Sequence, residues 1–265
     1  MQELTCIKSI LDEAGPIAIE KYHDRASLRV SSKLNAVDVL TDADEYIQRF
    51  ITERIHAIFP DDIVIGEELG SDTFTDEIRQ QRAWVIDPID GTQNFVRGLF
   101  PTFGISIAFV DNGTITAGGI DIPGLNQQFL AAKGHGATRN GESIHVSSVP
   151  ILVEARVEVD YGNPINRADV IAAFTEVVQQ SGEPRCHCAT VVTLCSIACG
   201  EMDAYFHIHV KPWDYAAGVL IVEEAGGTVS QANGEAIDVW GNNLGLIASN
   251  RILHQQALDT TVLPK

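Results

Sequence analysis

The sequence has few basic residues for its size and no long apolar run. Lys and Arg number 18 against 36 Asp and Glu, which gives the 265-residue chain a formal net charge of −18. A surface of this sign repels nucleic-acid phosphates and anionic lipid, so we expect neither a nucleic-acid nor a membrane partner. The sequence contains no stretch of about 18 apolar residues, and a transmembrane helix is therefore not expected.

Cysteine is scarce and forms no obvious pairs. The five cysteines are an odd number without a disulfide framework, which favours reduced thiols. The N-terminus lacks the basic segment and following apolar segment of a secretory signal. These features predict a cytoplasmic protein. Hydrophobic residues make up 45% of the chain, which is enough for a sizeable core.

The most informative stretch is residues 84–95, where an apolar run meets two carboxylates. Pro88 and Gly91 break regular strand pairing, so we expect Asp87 and Asp90 in a loop at the end of a buried strand. Two close carboxylates repel each other unless a cation or a proton lies between them. Mg²⁺ resolves this conflict because it binds carboxylate and carbonyl oxygens. For this motif taken alone, a solvated turn rich in Asp is the alternative.

Other acidic residues also follow or begin regular elements. Glu67 and Glu68 come directly after a short strand predicted at 63–65, and Asp214 precedes a helix predicted over 215–225. Asp44 lies in the first turn of a helix that Thr41 opens, where capping is an alternative explanation for it. Several carboxylates at the ends of regular elements are expected in a phosphoryl-transfer site that binds several Mg²⁺ ions.

The rest of the chain is predicted to contain both helices and strands. Apolar spacing predicts a helix over residues 4–22, which Gly15-Pro16 is expected to kink or split. Asp111-Asn112-Gly113 is typical of a hairpin turn. The second half alternates strands and helices, and we expect two regions, residues 1–148 and 149–265.

The chain resembles the inositol monophosphatase family of Mg²⁺-dependent, lithium-sensitive phosphatases. Three family motifs occur in order: Gly66-Glu67-Glu68, the stretch from Asp87 to Phe95, and Trp213-Asp214-Tyr215-Ala216-Ala217-Gly218. The resemblance covers nearly the whole chain and implies the sugar-phosphatase fold. This fold is of the α+β or α/β class, a layered α-β-α-β-α sandwich with an antiparallel N-terminal sheet and a mixed C-terminal region.

The resemblance also implies an activity and a role for the residues that match. It implies hydrolysis of a small phosphorylated metabolite by metal-activated water, and a homodimer is an expectation because the family is often dimeric. Two to three Mg²⁺ ions would be held by Glu67, Asp87, the Ile89 carbonyl, Asp90 and Asp214. The catalytic residues would be Glu67, Thr92, Asp44 and Asp90.

Positioning and substrate contacts follow from the same resemblance. Thr92, hydrogen-bonded to Asp44, would orient the attacking water. Glu68 and Lys33 would lie in the surroundings of the metal site. The substrate would contact Asp90, Gly91, Thr92, Cys188, Ala189, Thr190, His207 and Asp214.

The substrate wall departs from the family pattern. His207 stands where members that use inositol commonly carry a Glu, and an imidazole both donates and accepts while a carboxylate only accepts. Cys188-Ala189-Thr190 replaces a run of small residues that contains Gly. Histidinol phosphate, fructose-1,6-bisphosphate and nucleotide 3′-phosphates are therefore alternatives to a polyol phosphate. A non-catalytic regulatory protein that retains the fold is an alternative of another class.

A cluster of cysteines and histidines raises a zinc hypothesis. Cys186-His187-Cys188 and the pair His207 and His209 contain zinc-ligating residue types, but their spacing is not that of a zinc finger. We expect His207 and His209 to share one face of a strand by alternation. The favoured interpretation is a structural role or a place in the substrate wall.

Overall fold

A computed structural model describes residues 1–32, 39–69, 78–98, 100–241 and 243–263. The helices in these ranges are α1 (Gln2–His23), α2 (Asp42–Ile58), α3 (Thr92–Arg97), α4 (Arg167–Gln180), α5 (Thr190–Ala198), α6 (Pro212–Glu224) and α7 (His254–Asp259). The strands are β1 (Val30–Ser32), β2 (Val39–Thr41), β3 (Ile63–Gly66), β4 (Arg82–Asp90), β5 (Gly104–Asp111), β6 (Thr114–Ile122), β7 (Gln127–Ala132), β8 (Ala137–Arg139), β9 (Glu142–Ser143), β10 (Arg156–Val159), β11 (Glu183–Arg185), β12 (Ala204–His207), β13 (Gly227–Ser230) and β14 (Leu246–Asn250).

The first half of the chain builds a seven-stranded sheet in the order β3-β4-β5-β6-β7-β8-β9. Its pairs are antiparallel, as expected, except that β3 runs parallel to β4. The predicted hairpin joins β5 to β6, and both Asn112 and Gly113 have positive φ, at 49° and 73°. Positive φ at both central residues matches the twist of the strands, which explains the Asn-Gly sequence.

The second half builds a mixed five-stranded sheet in the order β11-β10-β12-β14-β13. One apolar cluster joins α1 and α2 to one face of the seven-stranded sheet. A second cluster places α5 and α6 between the two sheets, and a third packs α4 and α7 on the outer face of the five-stranded sheet. The layers are therefore α-β-α-β-α, which confirms the predicted fold class.

Helix α1 passes through Gly15-Pro16 and is not split there. The glycine serves close packing instead. A Cβ on Gly15 would lie 2.2 Å from the Asp121 carboxylate oxygen of β6, so only glycine lets the helix approach the sheet at this point. The predicted break therefore marks a helix–sheet contact.

Strand β4 is longer than the sequence predicted. Pro88 and Asp90 belong to it, and the register against β5 shifts between Asp87 and Asp90. Proline is tolerated at such an irregularity because no ladder N–H is needed from it. The expectation of a loop beginning after Ile86 was wrong. In the five-stranded sheet, β12 stops at His207, so His209 does not share its strand.

Candidate active site

Adjacent strands and one helix bring the predicted metal ligands together. Glu67 directly follows β3, whose last residue, Gly66, pairs with Ile86 of β4. The parallel pairing therefore delivers Glu67 beside Asp87, since neighbouring parallel strands end at the same edge. Asp214 comes from the first turn of α6, which lies between the sheets.

Backbone amides orient one oxygen of each of three carboxylates. Asp87 Oδ1 accepts from the Ile89 N–H at 3.0 Å. Asp90 Oδ2 accepts from the Val191 N–H of α5 at 2.8 Å, and Asp214 Oδ2 accepts from the Lys211 N–H at 2.8 Å. These three hydrogen bonds orient the Asp87, Asp90 and Asp214 side chains. In each carboxylate, only one of the two oxygens accepts from the backbone amide named here.

The carboxylates strongly perturb one another. Burial, followed by the charges of Glu67, Asp90 and Asp214, raises the pKa of Asp87 well above its usual range. Burial and the Asp214 charge do the same to the pKa of Asp90. Burial and Glu67 raise the pKa of Asp214 to about 7. Each of these acids is therefore difficult to ionise without a compensating positive charge.

The donor set fits a hard divalent cation. It consists of carboxylate oxygens and the Ile89 carbonyl, which are the ligands that Mg²⁺ takes. Within the residues that the structure describes, no three His, Cys, Asp or Glu side chains already surround one ion-sized point. The carboxylates would therefore have to turn toward a common point when an ion binds.

Thr92 and Asp44 lie next to this acidic group. The Thr92 hydroxyl donates to the Ile89 carbonyl at 2.9 Å and lies 3.5 Å from Asp44 Oδ1. Asp44 Oδ2 accepts from the Thr41 N–H at 2.9 Å in a capping box, so the capping explanation also holds. Burial and the charges of Glu68 and Glu67 raise the pKa of Asp44 to about 7.

Gly91 forms the turn that presents the start of α3. Its φ is +83°, and a Cβ there would lie 3.0 Å from the Thr102 carbonyl oxygen and 3.1 Å from the Ala189 side chain. Both the backbone angle and the space therefore require glycine. The turn directs the first amides of α3 outward, where helix-terminal N–H groups have no partner within the helix.

Of these residues, Glu67, Asp90, Gly91 and Thr92 line one end of an open cleft of about 420 Å³, while Asp87 and Asp44 are buried behind it. The opposite wall comes from the ends of β10 and β12 and from the start of α4. The cleft is lined by Glu67, Asp90, Gly91, Thr92, Gln93, Asn94, Asp160, Gly162, Asn163, Arg167, Cys188 and His207. A larger cleft of about 550 Å³ beside α1 contains none of the predicted site residues.

A hydrogen-bonded chain fixes His207 in the opposite wall. Thr190 Oγ1 and the Tyr205 hydroxyl are 2.9 Å apart, and the Tyr205 hydroxyl is 3.1 Å from His207 Nδ1. His207 Nε2 lies 4.0 Å from Asp160 Oδ1, too far for a direct hydrogen bond. Burial lowers the pKa of His207, which favours the neutral imidazole, while the Asp160 charge acts in the opposite direction.

The structure brings most of the predicted site residues together and separates a few from the cleft surface. Ala189 and Thr190 are buried behind the wall, and Glu68 is half-buried beside Glu67. Lys33 lies outside the described residues.

The sequence analysis missed Asp160, Asn163 and Arg167. Asp160 directly follows a strand, as Glu67 does, and this shared position was the signal that could have found it. Asn163 lies in the loop after Asp160, and Arg167 is the first residue of α4. No sequence motif marks either residue.

Comparisons with known proteins agree with this geometry. The model of the family described as the inositol monophosphatase family matches residues 1–263. A fructose-1,6-bisphosphatase/inositol-1-monophosphatase of Thermotoga maritima is 34% identical over 230 residues, which cover 86% of this chain and 84% of the relative. An inositol monophosphatase of Dictyostelium discoideum is 33% identical over 244 residues, with 90% and 88% covered.

Solved structures share the whole fold. The extragenic suppressor protein suhB from Bartonella henselae superposes with a TM-score of 0.89 at 26% identity and covers 98% of each chain.

Proposed function

The chain belongs to the inositol monophosphatase family of phosphoric monoester hydrolases, and we propose that it hydrolyses a small polyol or sugar phosphate with two to three Mg²⁺ ions. The observation that carries this proposal is the group formed by Glu67, Asp87, Asp90 and Asp214. Three of these acids have a raised pKa because they are buried against each other's charge. A divalent cation would stabilise the ionised form of such a group, and carboxylate and carbonyl oxygens are the ligands that Mg²⁺ takes.

Each part of the acidic end has a task in this proposal. Bound Mg²⁺ would supply an activated water and neutralise phosphate charge. The Thr92 hydroxyl donates to Ile89 or Asp44, so its oxygen is left to accept a hydrogen bond from the attacking water. The amides of Gly91 and Thr92 would bind phosphate oxygens at the start of α3.

The opposite wall of the cleft is suited to a substrate whose alcohol part carries further hydroxyl groups. When the Tyr205 hydroxyl donates to His207 Nδ1, the imidazole proton lies on Nε2, which faces Asp160 across 4.0 Å. A substrate hydroxyl between them would donate to the Asp160 carboxylate and accept from His207. An ammonium group would satisfy only Asp160, because it cannot accept a hydrogen bond. We take the tautomer with the proton on Nε2, and with it the wall favours a polyol or sugar phosphate over an amino-alcohol phosphate.

The proposal has further parts that the structure supports indirectly. The seven-stranded sheet ends at Ser143 and the five-stranded sheet begins at Arg156, which supports a division into residues 1–148 and 149–265.

In the part of the chain that the structure describes, no helix has the length and apolar character to cross a membrane. The charge of −18 favours a small-molecule partner over nucleic acid. A cytoplasmic location, inhibition by lithium and a homodimer complete the proposal, and light scattering would test the last of these.

Phosphate release from a panel of substrates tests the activity. The panel contains inositol-1-phosphate, fructose-1,6-bisphosphate, histidinol phosphate and a nucleotide 3′-phosphate, each with and without Mg²⁺. We expect turnover of a polyol or sugar phosphate that Asp90→Asn abolishes. Turnover of histidinol phosphate or the nucleotide alone would refute the substrate class. Bound Mg²⁺ without any turnover would support the non-catalytic alternative.

A substitution in the wall tests the alcohol part separately. Asp160→Asn keeps the size of the side chain but removes the charged acceptor. We expect kcat/KM to fall several-fold for inositol-1-phosphate and to change little for p-nitrophenyl phosphate, whose leaving group carries no neighbouring hydroxyl. An equal fall for both esters would refute hydroxyl recognition by Asp160.

A further inference from the structure

Two thiols stand side by side at the rim of the cleft. The sulfur atoms of Cys186 and Cys188 are 3.4 Å apart, and both residues are exposed. Cys6 and Cys195 are buried, and Cys199 is only partly exposed. Cys186 and Cys188 are therefore the cysteines that a reagent in solution reaches most readily, and each is within reach of the other.

The residue between the two thiols is firmly held. Its N–H donates to Glu158 Oε1 at 2.8 Å, and the Nδ1 atom of His187 contacts the other oxygen of that carboxylate. Glu158 itself is fully buried. The His187 carbonyl accepts from Asn94 Nδ2 at 2.7 Å. The backbone between the sulfurs is thus held in place, while both cysteines are exposed.

The same segment is tied to the catalytic end of the cleft. Asn94 belongs to α3, which begins at Thr92, and the Val191 N–H bonds to Asp90. Cys188 lines the cleft directly and has a φ of +55°, which is unusual for a residue with a side chain. Any change in the bonding of Cys188 therefore alters the cleft wall.

We propose that Cys186 and Cys188 are an oxidation site, at which a peroxide forms a reversible intramolecular disulfide that reshapes the substrate wall. The sulfurs must approach by about 1.4 Å to reach the bond length of about 2.0 Å. Rotations about the two Cα–Cβ bonds supply this movement, since neither thiol is buried. The anchored His187 backbone keeps the thiols adjacent, which favours the disulfide over further oxidation of either sulfur.

The reaction balances with hydrogen peroxide as the oxidant. The Cys186 thiolate attacks one peroxide oxygen, the O–O bond breaks, and Cys186 becomes a sulfenic acid as hydroxide leaves and is protonated to water. Cys188 then attacks the sulfenic sulfur, forms the S–S bond and releases a second water that takes its proton. A hydrogen bond from the Cys188 thiol lowers the pKa of Cys186, which favours Cys186 as the first nucleophile.

Mass spectrometry and kinetics on the intact protein test this proposal together. The protein is treated with hydrogen peroxide, free thiols are alkylated, and the peptide containing both cysteines is examined before and after dithiothreitol. We expect that peptide to lose two hydrogens and its alkylation, and to regain both on reduction. We expect kcat/KM for the substrate found in the panel to fall several-fold on oxidation and to return on reduction.

Two serine variants complete the test. Cys186→Ser should form no intramolecular disulfide and should keep its kcat/KM under peroxide, whereas the matched control Cys199→Ser should respond as the unmodified chain does. The absence of the intramolecular disulfide, a peroxide response that persists in Cys186→Ser, or a disulfide that leaves kcat/KM unchanged would each overturn the proposal. The peptide mass is read without any turnover, so failure of the thiol chemistry is distinguishable from failure of the proposed phosphatase activity.

Discussion

Gly91 offers a sharp test of the architecture of the active site. Replacing it with alanine forces a side chain into the left-handed region at φ +83° and places a Cβ 3.0 Å from the Thr102 carbonyl oxygen. The backbone conformation costs about 1–2 kcal/mol for a residue other than glycine. Steric overlap with Thr102 and Ala189 adds about 1–3 kcal/mol, as in other overpacked sites.

Gly226 is a matched control for this substitution. Its φ is +91°, yet a Cβ there would meet no atom within 4 Å. Gly226→Ala should therefore lose only the conformational part, and Gly91→Ala should be less stable than Gly226→Ala by about 1–3 kcal/mol. Urea unfolding monitored by fluorescence measures this difference, with EDTA present so that metal binding does not contribute.

Activity should separate the two variants more widely. The overlap at Gly91 pushes the first amides of α3 and the Thr92 hydroxyl away from their positions, and misplacement of about 1 Å can cost about 10²-fold in rate. We expect kcat/KM to fall by up to that factor in Gly91→Ala and to stay unchanged in Gly226→Ala. Equal stability losses in the two variants, or full activity in Gly91→Ala, would refute the steric argument.

Substitutions at three other positions test separate parts of the site and fold. Thr92→Val removes the water-positioning hydroxyl and should lower kcat by about 10²-fold or more with little change in KM, while Thr92→Ser keeps most activity in the same steady-state assay. Asp214→Asn removes one charge from the acidic group and should weaken Mg²⁺ binding by about 1–4 kcal/mol in titration calorimetry. Burial and the Asp12 charge raise the pKa of Asp121 to about 7, so the folded state binds this proton more tightly than the unfolded state does. The contribution of Asp121 to the free energy of unfolding should therefore fall as the pH rises from about 4 to about 7. At pH 8, Asp121→Asn should be more stable than the unmodified chain by at most about 4 kcal/mol. Equal dependence of the unfolding free energy on pH in the two proteins from pH 5 to 8 would contradict this.

Local sequence signals predicted much of the fold. The Asn112-Gly113 turn, the apolar spacing of α1 and the Thr41 start of α2 act over a few residues, so they can be read from the sequence directly. Signals that depend on a distant partner were misread. The Gly15-Pro16 pair reads as a helix break until Asp121 of β6 is known to pack against Gly15. Pro88 likewise reads as a strand end until the shifted register against β5 is seen.

The predicted site divides in the same way. The acidic residues were identified because they lie within motifs or at the ends of predicted elements. Asp160 was missed because its importance depends on strand pairing: Val159 of β10 pairs with Phe206 of β12, which places Asp160 beside His207. The position of Asp160 after a strand marks it as a candidate, but no local signal indicates that His207 is its neighbour. The residues of the predicted substrate wall are therefore recognised only from the pairing of distant strands, whereas the predicted metal ligands are recognised from local motifs.

The two sheets divide the work of the cleft between them. The edge formed by β3 and β4 supplies Glu67, Asp87 and Asp90, while the ends of β10 and β12 supply the opposite wall, which we propose faces the alcohol part of the substrate. Helices α5 and α6 lie between the sheets and join the two ends, through the Val191 amide on Asp90 and through Asp214. Substitutions in the second sheet can therefore change the alcohol that is accepted without moving the carboxylates. If the proposed roles hold, this separation allows His207 to differ from the glutamate that the family resemblance implies at its position while the acidic set is retained.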